Sequence, residues 1–141
     1  MKRVWQFGTP VVLAWVMVFA MVVTLGAGQG ARWTIPPGGD AEKNPLPVNA
    51  ALLANGKKLF TSTCVRCHGA LGKGDGADGD PDHIVDMDLT APAGAKANTD
   101  GVVFYKIWNG RAAPKMPAQR DDLTKEQVWA IVAYVQTLRG K

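Results

Sequence analysis

The 141-residue chain has only two cysteines, Cys64 and Cys67, and only two histidines, His68 and His83. Two thiols cannot build a four-cysteine zinc site within one chain. A pair three residues apart closes almost no loop, so a disulfide framework is excluded as well. Charge is modest, with 16 Lys plus Arg against 12 Asp plus Glu, a formal +4. No basic stripe with interleaved aromatics accompanies it, and the chain does not read as a nucleic-acid binder. Internal repeats are absent, and no run alternates convincingly enough to be a strand. What remains is an all-α pattern, long enough for one small domain and something extra.

The extra part comes first. Lys2 and Arg3 precede the uncharged run "PVVLAWVMVFAMVVTLGAG", Pro10 to Gly28. As a helix it would be roughly 28 Å long, close to the thickness of a bilayer core. That favours a single N-terminal transmembrane helix over residues 1–31, with Lys2 and Arg3 on the cytoplasmic side and Trp5 and Trp33 suited to the two interfaces. The alternative is a cleaved signal leaving a soluble periplasmic protein, since "GAG", Gly26 to Gly28, offers a small-residue exit. In both cases everything after residue 30 lies on the periplasmic, extracytoplasmic side. Residues 32–49 contain Pro36, Pro37, Pro45 and Pro47, which oppose a helix and favour extended polyproline-like chain. This linker is expected to be a semi-rigid tether, with a strap packed on the domain as the alternative around Leu46 and Val48.

Residues 50–141 form the expected globular domain of three to four short helices. A first helix is predicted from Ala50 towards Thr61, with Asn49 as its cap. A second fits "TDGVVFYKIWNG", capped by Thr99 or Asp100 and stopped by Gly110. A last helix follows Thr124 and Gln127, a capping-box pair, with Leu123 and Val128 as the hydrophobic staple. Val128, Ile131, Val132, Val135 and Leu138 make its apolar stripe. So small a core is marginal alone, and a large apolar cofactor would supply the missing buried surface.

The chemistry sits at "CVRCH", Cys64 to His68. Disulfide exchange of the thioredoxin kind needs a strand before the motif and a helix after it. Here a helix precedes, and "GALGKGDGADGDPDHIVDMD" follows, with five glycines and six aspartates. Zinc would need Cys64, Cys67, His68 and His83, and adjacent Cys67 and His68 are awkward ligands for one tetrahedral ion. Covalent haem uses all three motif residues: two thiols for two vinyl groups, and the histidine for the iron. "GKGDG" lacks the hydroxyl residue and preceding strand of a phosphate loop. The aspartates do not follow the calcium-loop template, so they read as a solvated acidic face. Near a haem edge, that face would suit a basic docking surface on a redox partner.

"ANGKKLFTSTCVRCHG", "NGRAAPKMPAQ" and "LTKEQVWAIVAYVQTLR" together resemble a small class I cytochrome c, across about Leu52 to Leu138. The resemblance implies the cytochrome c fold around one covalently bound haem c. It implies thioether bonds from Cys64 and Cys67, proximal iron ligation by His68 and distal ligation by Met116 in "KMP". It also implies a close crossing of Gly56 and Phe60 against Tyr134. Elimination points to Met116 as well. The soft or imidazole candidates beyond residue 30 are Met87, Met116 and His83, and Met116 stands between Pro114 and Pro117. Pro81 and Pro92 do not mark the carbonyl that should accept the imidazole N–H. Phe104, Tyr105 and Trp108 are expected to line the pocket, with Trp108 or Arg111 near a propionate.

The functional expectation is a one-electron carrier on the outer face of a membrane, not an enzyme in its own right. Its partners would be a quinol-oxidising complex, a dehydrogenase or a terminal oxidase. A fixed haem subunit of a larger membrane oxidoreductase and a haem-based small-ligand sensor are the rivals. Methionine ligation would raise the potential and leave no open iron site.

Overall fold

The computed structural model describes residues 33–139. The expected membrane helix or signal over residues 1–31, including Trp5, lies outside the described residues. Among the described residues no helix is long and apolar enough to cross a membrane.

Three helices of ten or more residues carry the fold of the described residues. Helix α1 spans Ala50–Thr63 and starts as expected, with the Asn49 side chain accepting the Leu52 N–H at 2.9 Å. The short α2, Val65–His68, follows it directly through Cys64. The glycine-rich stretch contains small helical pieces where a plain loop was expected, a 3-10 turn at Pro81–His83 and α3 at Ile84–Met87. Beyond it, α4 forms at Pro92–Ala97. Elements of three to six residues are too short to show a 3.6-residue period, so the pattern did not reveal them. Helix α5 is Asp100–Asn109 and α6 is Lys125–Gln136. Both halves of the Thr124–Gln127 capping box are formed. No strand forms among the described residues; there are two isolated bridges, Lys73 with Asp88 and Arg111 with Met116.

The core lies where α6 crosses α1 and α5. Phe60, Val128, Ile131 and Val132 are fully buried there. A β-carbon at Gly56 would run into the Ala130 carbonyl and sit 3.0 Å from the Tyr134 β-carbon. Glycine therefore sets how closely α1 and α6 approach. One turn on, Phe60 meets Tyr134 with ring centroids 5.4 Å apart and planes tilted by 56°. Phe104 stacks between Trp108 and Trp129, at 5.8 and 4.3 Å.

The tether expected over residues 32–49 needs correction: from Trp33 onward the segment is a strap docked on the domain. Extended proline-rich chain leaves its own carbonyls unpaired, and the first turn of a helix leaves N–H groups unpaired. The two meet here. The Gly101 N–H donates to the Glu42 carbonyl at 3.1 Å, and the Thr99 hydroxyl donates to the Asp40 carbonyl at 2.7 Å. Thr99 is the N-cap residue of α5, but its side chain holds the strap and does not close the helix. Asn44 reaches across to the Trp129 carbonyl at 2.9 Å. Leu46 packs on the core while Val48 stays exposed. Trp33, expected at a membrane interface, lies against Lys106 and Arg111.

Candidate haem site

Cys64 caps the C-terminus of α1, and its N–H donates to the Phe60 carbonyl at 2.8 Å. One helical turn later, the His68 N–H donates to the Cys64 carbonyl at 2.9 Å. The motif is thus one turn of helix, with Cys64 and Cys67 a turn apart. Both thiols are free and half-buried. Burial, reinforced by neighbouring Cys67, pushes the Cys64 thiol up to about 12. A thiol-exchange cysteine needs the opposite shift, so the local environment argues against that chemistry. His83 stands apart, 3.9 Å from Asp80. Among the described residues no group of three or more His, Cys, Asp and Glu converges as a metal cluster, so Cys64, Cys67, His68 and His83 do not form the zinc set.

His68 Nδ1 lies 2.8 Å from the Met87 carbonyl oxygen. A carbonyl only accepts, so Nδ1 carries the proton and Nε2 keeps its lone pair for a metal. Burial pulls the His68 pKa below its ordinary value, against the opposing effect of that hydrogen bond. A neutral, oriented imidazole is what an iron ligand requires. The acceptor that no proline marked is therefore Met87, acting through its backbone. Its residue type carries no signal for such a role, because any residue has a carbonyl.

The loop that presents this carbonyl folds back on the motif. The Gly74 N–H donates to the His68 carbonyl at 2.8 Å, and the Leu89 N–H to the Gly72 carbonyl at 2.7 Å. The Asp78 N–H donates to the Arg66 carbonyl at 2.7 Å, and its carboxylate pairs with Arg66 at 2.6 Å. The acidic stretch thus lies directly against the cysteine motif.

Met116 comes from the other side of the sequence. Gly110 ends α5 with φ +61°, where a side chain would also meet the Met116 carbonyl. Arg111 and Met116 then exchange backbone bonds of 2.8 and 2.9 Å. Met116, Cys64 and Val65 all pack against the same buried cluster. Arg111 donates through Nε to the Pro114 carbonyl at 2.9 Å and pairs through Nη2 with Asp86 at 3.3 Å. Trp108 lies beneath Lys125, 5.9 Å from its Nζ.

The donor set fits haem attachment: two unbonded thiols one helical turn apart, an imidazole with a free Nε2, and a thioether on a braced turn. Comparison with known proteins agrees. The family model described as Cytochrome c matches residues 53–139, more than half of the chain. The protein belongs to the cytochrome c family, a class I mono-haem c-type cytochrome with one covalently bound haem c. Its similarity to cytochrome c6 of Cladophora glomerata is 35% identity over 92 residues, covering 62% of this chain and 90% of that protein. It is 33% identical over 87 residues to the cbb3-type cytochrome c oxidase subunit FixP of Bradyrhizobium diazoefficiens. It is 32% identical over 101 residues to the cytochrome bc1 complex cytochrome c subunit of Mycobacterium leprae. The matched part spans only 28% and 29% of those two longer proteins.

Proposed function

We propose that this cytochrome is a one-electron carrier held at the outer face of an energy-conserving membrane by residues 10–28. In this reading Cys64 and Cys67 form the thioether bonds, His68 is the proximal iron ligand and Met116 the distal one. The bound haem supplies a ferric–ferrous couple. The protein positions His68 through the Met87 carbonyl, and it presents Met116 from the Arg111–Met116 turn. With both His68 and Met116 holding the iron, no open iron site would remain for a small ligand, which would suit electron transfer rather than ligand binding.

The observation that carries the reading is the 2.8 Å contact from His68 Nδ1 to the Met87 carbonyl, which leaves only Nε2 for a metal. Extended similarity to cytochrome c6, over 90% of its length, supports a carrier. Similarity to parts of an oxidase subunit and of a bc1 subunit supports the second reading, a fixed haem subunit of a larger membrane oxidoreductase. Partners in either case are a quinol-oxidising complex, a dehydrogenase or a terminal oxidase. An anchor at residues 10–28 would keep the carrier at high effective concentration near them.

Visible spectroscopy tests the ligands. The oxidised protein is expected to show the weak red-region band of iron–methionine ligation, and Met116→Ala to lose it and bind carbon monoxide rapidly when reduced. Retention of the band in Met116→Ala defeats the assignment. Intact mass of the purified protein reports whether the N-terminal segment is retained. Recovery of stoichiometric partners after mild detergent extraction would favour the fixed subunit.

A further inference from the structure

We infer that Arg111 is a positioning residue for the distal ligand, stapling the Met116 turn to the loop that orients His68. Three segments meet at its side chain. Nε donates to the Pro114 carbonyl at 2.9 Å, inside the turn that ends at Met116. Nη2 pairs with Asp86 Oδ2 at 3.3 Å. Asp86 immediately precedes Met87, whose carbonyl holds His68. The guanidinium also lies over the Trp33 ring, 4.7 Å from its centroid.

The surroundings make this contact stronger than an ordinary surface pair. The Arg111 side chain is only 17% exposed, against 47% for Asp86. Trp33 covers one face of the guanidinium, and partial exclusion of water strengthens a charge pair. The planar guanidinium holds the carbonyl and the carboxylate at once, which a lysine ammonium on a flexible stem does less well. Backbone bonds between Arg111 and Met116 give the connection a short lever. A shift of the side chain therefore moves the residue whose thioether must reach the iron. The Pro114–Met116 turn and the short helical turn around Asp86 bury little apolar surface, with Ile84 and Val85 exposed, so a polar tie is the available means of holding them together.

This inference rests on Met116 being the distal ligand, and the experiment separates the two. Imidazole is titrated into the oxidised, haem-loaded full chain at neutral pH, where it competes with the protein's own distal ligand. Wild type, Met116→Ala, Arg111→Gln, Arg111→Lys and Asp86→Asn are compared, and reduction potentials are recorded for each. Arg111→Gln is expected to bind imidazole about tenfold more tightly than wild type, the factor that loss of one charge-assisted hydrogen bond implies. Asp86→Asn should shift affinity in the same direction, and Arg111→Lys should fall between Arg111→Gln and wild type. If wild type binds imidazole as tightly as Met116→Ala does, the ligand assignment fails. If Met116→Ala binds more tightly but Arg111→Gln and Asp86→Asn match wild type, the staple alone is overturned. A pure charge effect would also overturn it: potentials displaced in opposite directions by Arg111→Gln and Asp86→Asn, with imidazole affinity unmoved. Should Arg111→Gln fail to accumulate, Asp86→Asn and Arg111→Lys carry the same test.

Discussion

The α1–α6 crossing and the two loops around the proposed haem site are built on different physics. At the crossing, stability comes from apolar burial: Phe60, Val128, Ile131 and Val132 are closed to solvent. In the loops, order comes from backbone hydrogen bonds and charge. His68 is held by the Met87 carbonyl, the acidic loop by the Arg66 carbonyl and guanidinium, and the Met116 turn by Arg111. Damage to the crossing should therefore remove the folded protein, while damage to the loops should alter the iron's surroundings in a protein that still folds.

Gly56→Val breaks this comparison most severely. Any β-carbon there meets the Ala130 backbone, which cannot rotate away as a side chain could. No haem-loaded protein is expected to accumulate, as read from the visible absorbance of the purified fraction. Normal accumulation would mean that the helices tolerate a wider separation. Phe60→Ala is the next largest. It leaves a cavity beside Tyr134 and should cost about 3–5 kcal/mol in urea unfolding, while the red-region band of the folded fraction stays in place. Loss of that band alongside the stability would show the crossing and the Met116 turn to be one unit.

The same division explains what was legible in the sequence. The helices announced themselves through periodic apolar residues and side-chain caps, and Asn49, Thr124 and Gln127 act as expected. The cysteine–histidine motif was equally plain, because thioether chemistry requires those residue types at one spacing. The Met87 carbonyl was hidden, since a backbone acceptor leaves no trace in residue type. The strap was foreseen only as an alternative around Leu46 and Val48, and its docking through Asp40 and Glu42 was hidden for a related reason: it gives main-chain carbonyls to the start of α5. Arg111 and Asp86 stand 25 positions apart, and no helix or strand period links such a pair. Asp86 read as part of a solvated acidic face and Arg111 as a candidate propionate contact until the two segments were placed.

The smallest expected effect lies at the join between the two regions. Lys106 sits on α5, with Nζ 2.6 Å from Asn98 Oδ1 and 5.3 Å from the Trp33 ring centroid. Burial first, and then the positive charge of Arg111, pull its pKa from 10.5 to about 8; Arg139 adds to the fall and Asp86 opposes it. Between those two values the unfolded chain holds a proton that the folded chain has released. Stability should therefore rise as pH increases from about 8 towards 10.5, the reverse of a lysine that gains a carboxylate partner. The group is only partly buried, and solvent screening keeps the effect below about 1 kcal/mol. Lys106→Met should flatten this rise, measured as the urea midpoint at pH 7.5 and about 9.5. An equal rise in wild type and Lys106→Met would assign it to another group. A wild-type midpoint that falls over this range would count against the lowered Lys106 pKa, with the Asn98 and Trp33 contacts holding the ammonium charged in the folded protein.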